Sequence, residues 1–222
     1  MTALRLAHRG DWRAAPENSL EAMSAALANP RCDGLEFDVR IARDGVPILL
    51  HDPSLQRVQG VDRDAADLAA AELAAWGIPS LADVLAAVAR EAFLDIELKE
   101  PANDVVLATI DDARGRADGG LDRAIVSSFD PTIIAAVREA RPGWPLWGNV
   151  RDLAPATIAA AVALGCTALS ATWRAVDRAG VARVGAAGLE LAAWTVRRRP
   201  TFERLERLGI VAICAEAAAL DG

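Results

Sequence analysis

Residues Gly34–Asp52 read GLEFDVRIARDGVPILLHD. In an extended chain, successive side chains point to opposite faces. Leu35, Phe37 and Val39 therefore share one face, and Glu36 and Asp38 share the other. The apolar face suits packing against helices. The carboxylate face is unusual inside a barrel, because buried charges must be paired or bound to a metal. Phe93–Leu98 repeats the pattern: Leu94, Ile96 and Leu98 face one way, and Asp95, Glu97 and, just beyond, Lys99 face the other. Six more segments read as strands: Leu4–His8, Ala124–Ser128, Pro145–Asn149, Thr167–Ser170, Leu189–Thr195 and Ile210–Cys214. Helical stretches sit between them at Ser19–Ala28, Leu81–Ala89, Asn103–Ala117, Pro131–Ala140, Ala156–Leu164, Asp177–Ala186 and Thr201–Leu208.

Eight strands alternating with helices predict an α/β chain folded as a (β/α)8 TIM barrel. Such barrels usually run to about 250 residues, and this chain has 222. The barrel is therefore trimmed, and only Glu216–Gly222 remain for the last helix. An open doubly wound sheet is the alternative. Against it, the first strand–helix turn carries no GxGxxG loop, and polar pairs recur at strand ends. A single domain over 1–222 is expected, with a β-hairpin extension after the second strand and one long irregular stretch, Pro53–Pro79. Ser80 and Asp130-Pro131 are helix starts, and Gly165 and Gly209 are helix stops.

A chain that is 53% hydrophobic and 25% charged is not disordered. Its net charge of −7 argues against gripping a nucleic-acid backbone. The three cysteines, Cys32, Cys166 and Cys214, are too scattered for a disulfide framework or a zinc site and fit a reducing compartment. The start, MTALRLAHRG, has no apolar signal core. The uncharged run Leu153–Trp173 is broken by Pro155, Gly165 and several hydroxyl residues, so no membrane insertion is expected. A cytoplasmic location follows as the expectation.

Asp44-Gly45 signals a two-residue hairpin loop. With that loop, Arg43 pairs with Val46 and Asp38 pairs with His51, which folds His51 back over Glu36 and Asp38. The first strand ends in His8-Arg9-Gly10. One barrel mouth then collects His8, Arg9, Glu36, Asp38, His51, Glu97 and Lys99. The chain has two histidines, and both fall here, as does its single lysine among 24 basic residues. Three carboxylates suit a hard divalent cation, Mg2+ or Ca2+. Two histidines suit a general acid and a general base. Arg9 and Lys99 suit an anionic group. Together these describe phosphoester cleavage. Trp194 is a candidate apolar wall for the substrate, with Trp12 a weaker one. Trp76, Trp144, Trp147 and Trp173 read as core or rim packing, and Arg197–Arg199 as an exposed charged turn.

The chain resembles the glycerophosphodiester phosphodiesterase family. The resemblance rests on His8-Arg9-Gly10, Pro16-Glu17-Asn18-Ser19, Glu36-x-Asp38, Asp44-Gly45-x-Pro47 through His51-Asp52, and Glu97-Leu98-Lys99. Ser128-Phe129 and Ala193-Trp194-Thr195-Val196 are weaker matches. The resemblance implies a (β/α)8 barrel with one bound divalent cation, Mg2+ or Ca2+. It implies that His8 and His51 are the acid–base pair, that Glu36, Asp38 and Glu97 hold the metal, and that Arg9 and Lys99 lie near the phosphate. It implies a small-molecule substrate such as glycerophosphocholine, split into glycerol 3-phosphate and an alcohol. Three positions depart from the pattern. Ser19 stands where Thr is usual, Arg197 follows Trp-Thr-Val where Asn is frequent, and Ala215-Glu216 replaces a Thr-Asp pair. Two other functions fit less well. A lysophospholipase D-type enzyme of the same superfamily would want more apolar surface at the mouth. A non-catalytic phosphate-binding barrel would have lost a histidine or a carboxylate.

Overall fold

The computed structural model describes residues 2–222. Nine strands form one sheet: β1 Leu4–His8, β2 Gly34–Ile41, β3 Pro47–Leu49, β4 Phe93–Leu98, β5 Ala124–Ser128, β6 Leu146–Val150, β7 Ala168–Thr172, β8 Glu190–Val196 and β9 Ala212–Ala215. All but β3 are parallel. The sheet closes because β1 pairs with β2, His8 opposite Glu36, and with β9, Leu6 opposite Cys214. This is the (β/α)8 barrel the alternation implied, with β3 as the hairpin strand. The expected barrel strands differ from the observed ones by only a few residues at either end, where a pattern of burial is least informative.

The two faces of β2 divide as the alternation requires. Leu35, Phe37 and Val39 are buried in the large apolar layer between strands and helices, together with Leu94, Ile96 and Leu98 of β4. Glu36, Asp38, Asp95 and Glu97 are buried on the inner face. Helix starts are fixed locally. The Ser19 side chain accepts from Ala22 N, Ser80 and Asp83 form a capping box, and Pro131 follows Asp130 as N-cap. These anchors set where each helix begins and hence where the preceding loop must end. The final helix is one short turn, Ala218–Asp221. Arg13 clamps it by donating from both terminal nitrogens to Asp221 at 2.7 Å. Among the described residues, no helix is long and apolar enough to cross a membrane.

The hairpin corrects the expected register. Val39 pairs with Leu49, Arg40 with Ile48 and Ile41 with Pro47, which places Leu50, not His51, opposite Asp38. The loop has three residues, 43–45. Gly45 N donates to Ala42 O and Ala42 N donates to Val46 O, both at 2.9 Å, and Gly45 sits at φ 81°. A turn followed by a left-handed glycine is the other loop an Asp-Gly pair serves. His51 reaches the mouth by a different route. The chain leaves β3 at Leu49, and Arg40 Nε donates to the His51 carbonyl at 2.9 Å. The stretch Pro53–Pro79 is not structureless. Its short helices Gln56–Gln59 and Ala70–Ala74 close over a second apolar cluster in which Leu55, Leu68, Leu73 and Ile78 meet Ile48 and Leu50. Trp76 is exposed rather than packed.

The loop after β1 holds Arg9 at φ 58° and Gly10 at φ 81°. A Cβ on Gly10 would lie 2.6 Å from the carbonyl carbon of Ala22. Both the backbone conformation and the close approach of the helix require glycine there. Gly10→Ala is expected to lower stability by about 2–4 kcal/mol, a fall in Tm of at least ~5 °C for a chain this size. Thermal denaturation followed by circular dichroism checks it.

Candidate active site

The strand ends surround a cavity of about 410 Å3. His8, Arg9, Glu36, His51, Glu97, Lys99 and Trp194 all line it. Asp38 is fully buried behind them. The structure therefore brings together every site residue expected from the sequence, whereas Trp12 points away from this cavity and is exposed.

The carboxylates form the floor. One oxygen each from Glu36, Asp38 and Glu97 lies within 4.8 Å of the others. Asp38 is well supplied with partners. Arg9 Nε and Lys99 Nζ each lie 2.8 Å from it, and Asn18 Nδ2 donates to it at 2.9 Å. Burial alone would raise its pKa, but Arg9, Lys99 and His51 hold it well below the usual carboxylate range. Lys99 also contacts Glu97. Glu36 is different: neither of its buried oxygens has a hydrogen-bond partner. Burial, then the charges of Asp38 and Glu97, push its pKa far up. Glu97 is raised by the same causes, burial first. Deeper in the barrel, burial pushes Asp95 up to about 7 while Ser127 donates to it at 2.6 Å.

Orphaned carboxylate oxygens are costly, and an all-oxygen donor set with both orphans at its centre fits a hard divalent cation. Such an ion would offset the repulsion at Glu36, which Arg9 relieves only in part.

Each histidine is held through Nδ1. His8 Nδ1 lies 2.6 Å from Glu216, and its Nε2 lies 3.7 Å from Glu36. Glu216 is gripped in turn by Arg197 Nε at 2.7 Å. Burial opposes ionisation of Glu216, but His8 and Arg197 bring its pKa down to about 2. His51 Nδ1 lies 2.5 Å from Asp52. Burial, together with Arg9 and Lys99, lowers the His51 pKa despite the opposing pull of Asp38. Asp52 pairs with Arg57, Arg57 with Glu17, and Glu17 with Arg9. A continuous chain of charge thus runs from His51 back to Asp38. On the far wall, Trp194 meets Phe129 edge-on at 5.2 Å, and its Nε1 donates to Ser170 O. Sequence reasoning did not place Asn18, Asp52, Arg57 or Phe129 as working parts of the site. Glu216 and Arg197 it registered only as departures from a pattern, and the two departures turn out to be partners.

The chain belongs to the glycerophosphoryl diester phosphodiesterase family, whose model matches residues 8–219. Its closed parallel barrel is the fold of that family. It is similar to the lysophospholipase D GDPD3 of Mus musculus, 42% identical over 67 residues, which are 30% of this chain and 20% of that one. It is also similar to a glycerophosphodiester phosphodiesterase of Caldanaerobacter subterraneus subsp. tengcongensis, 28% identical over 159 residues, 64% of each chain. The chain thus spans less than two thirds of the length of these two relatives. In fold it matches the Oleispira antarctica phosphodiesterase solved with the product sn-glycerol-3-phosphate, with a TM-score of 0.83, 21% identity, and coverage of 99% of this chain and 94% of that one.

Two outcomes follow from this geometry. In chelator, Glu36→Gln is expected to be at least as stable as the parent, because it replaces a buried carboxyl whose ionised form burial, Asp38 and Glu97 oppose with a neutral amide of the same shape. The parent should gain Tm on adding Mg2+ or Ca2+, and the variant should not. Thermal melts with and without the ions check both. For Glu216, the folded pKa of about 2 lies below the 4.5 of a free glutamate. Its contribution is therefore complete above about pH 4.5 and is lost as pH falls toward 2. Glu216→Gln should cost about 2–3 kcal/mol at pH 7 and little near pH 2, as read by urea unfolding of both proteins across that range.

Proposed function

We propose that this protein hydrolyses glycerophosphodiesters, such as glycerophosphocholine, to glycerol 3-phosphate and an alcohol. The observation that carries the reading is the pairing of each histidine's Nδ1 with a carboxylate in one cavity. That arrangement fixes both rings and leaves each Nε2 free for proton transfer beside the three-carboxylate cluster. Family membership and the sn-glycerol-3-phosphate held by a structural neighbour support the same reading.

Glu36, Asp38 and Glu97 would hold one Mg2+ or Ca2+, which supplies charge stabilisation at a phosphoryl oxygen when bound. Arg9 and Lys99 border the same cavity and offset charge building on the non-bridging oxygens. One histidine takes the proton of the attacking hydroxyl, and the other returns a proton to the departing alkoxide, so the pair ends with its protons exchanged. The attacking hydroxyl is that of water or of the glycerol carbon next to the phosphate, which gives a cyclic phosphate first. Trp194 and Phe129 form the apolar wall against which the organic part of the diester lies. Three free cysteines and an acidic surface are consistent with a cytoplasmic enzyme acting on a small soluble substrate.

A coupled glycerol 3-phosphate assay tests this directly. Turnover of glycerophosphodiesters is expected with Mg2+ or Ca2+ and none in EDTA. His51→Ala should lower kcat by at least ~10²-fold. Lys99→Arg should also lose most turnover while folding normally, because a planar fork cannot replace a compact charge between Asp38 and Glu97. Release of no glycerol 3-phosphate from any diester, or full activity after exhaustive chelation, would sink the assignment. Lysophosphatidylcholine assayed by choline release, with turnover favoured over glycerophosphocholine by the same readout, would move the reading to the lysophospholipase D type.

A further inference from the structure

A second groove of about 490 Å3 opens beside the catalytic cavity and shares Trp194 and Thr195 with it. Its remaining wall comes from the ends of β7 and β8, notably Trp173, Arg174, Arg197 and Arg198. These strand ends lie across the barrel from β2 and β4, which carry Glu36, Asp38 and Glu97. A substrate whose phosphate sits over those carboxylates and whose chain crosses Trp194 therefore enters this groove.

The groove is basic, and its charge is not used up internally. Of the three consecutive arginines, Arg197 is neutralised by Glu216 and Arg199 by Glu203. Among the described residues, Arg198 and Arg174 have no carboxylate within ion-pairing distance. Arg174 stacks over Trp173, its guanidinium carbon 4.5 Å from the ring centroid, and Trp173 N donates to Trp194 O at 2.8 Å. The stacked guanidinium is thus held on a wall tied to the catalytic cavity. A third arginine, Arg151, lines the catalytic cavity itself, lies over Phe129 at 5.5 Å and likewise has no acidic partner among the described residues. Arg151, Arg174 and Arg198 would repel a cationic head group along this path, whereas an anion would find unpaired donors. Apart from the two tryptophans the groove has no apolar rim, so a soluble ligand fits it better than a lipid surface.

We propose that this groove binds a second anionic group of the substrate, so that the enzyme favours doubly anionic diesters over those with a choline head. The proposal rests on the phosphodiesterase reading above and names the substrate class of that same site. A matched set separates the possibilities: bis(glycerophospho)glycerol carries a second phosphate, glycerophosphoglycerol lacks it, and glycerophosphocholine carries a cation. At low ionic strength the parent should show kcat/KM about tenfold or more higher for bis(glycerophospho)glycerol than for glycerophosphoglycerol, the worth of one charge-assisted contact. Glycerophosphocholine should be poorest, and the spread should shrink with added salt. Arg174→Gln combined with Arg198→Gln should bring the first two substrates within about twofold, with the glycerophosphoglycerol value unchanged. Equal kcat/KM for the two in the parent, or a preference that survives the double substitution, would overturn the proposal while leaving the phosphodiesterase reading intact. Absence of turnover on all three would remove that reading and the proposal with it. Cardiolipin vesicles present the doubly anionic head group on a membrane. They should not compete at matched head-group concentration, and effective competition would overturn the assignment to a soluble ligand.

Discussion

Three carboxylates crowd within 4.8 Å of one another on the inner face of a closed barrel, and the mouth is arranged around their repulsion. Parallel pairing of β2 and β4 sets Asp38 beside Glu97 and Glu36 beside Asp95. Burial strips these carboxylates of most of their hydration, so the charges must be met by fixed cations or by a bound one. Arg9 and Lys99 meet Asp38 and Glu97. Among the described residues, none hydrogen-bonds to the carboxylate of Glu36. The fold thus tolerates one uncompensated buried carboxyl, which is the kind of local inconsistency found where a site is built for a ligand.

The charges that meet Asp38 also position His51. Arg9 reaches Glu17, Arg57 joins Glu17 to Asp52, and Asp52 holds His51. The segment carrying Asp52 and Arg57 is anchored by its own small apolar cluster. Packing of that segment and geometry at the carboxylate cluster are therefore coupled through ion pairs. His8 is held from the other side, by Glu216 at the end of β9 and Arg197 beyond β8. The same Arg197 borders the basic groove, so the support of His8 and the wall of that groove share a residue.

Much of this was legible from residue types alone. Alternation in GLEFDV and FLDIEL fixes which side chains face inward, because a period of two leaves no other choice once one face must meet helices. Both histidines and the lone lysine fell near those carboxylates. The hairpin register was not legible, since Asp44-Gly45 serves a two-residue loop and a three-residue loop with a left-handed glycine equally well, and packing of Ile48 and Leu50 against residues 55–78 selects the latter. Nor were the partners of the histidines. Glu216 is 208 residues from His8, and Arg57 meets Glu17 across 40 residues; no local period encodes such pairs. Arg197 and Glu216 looked like unrelated departures until the closing of β8 against β9 brought them together.

On the proposed reading, a divalent cation keeps Glu36, Asp38 and Glu97 together. Crystals of the enzyme soaked in Mn2+, which takes the same oxygen ligands as Mg2+, test it by anomalous diffraction. The expected result is one strong anomalous peak within about 2.0–2.6 Å of oxygens from all three carboxylates, absent in Glu36→Gln crystals soaked in the same way. A fully soaked crystal of active enzyme with no peak among these three side chains would contradict it.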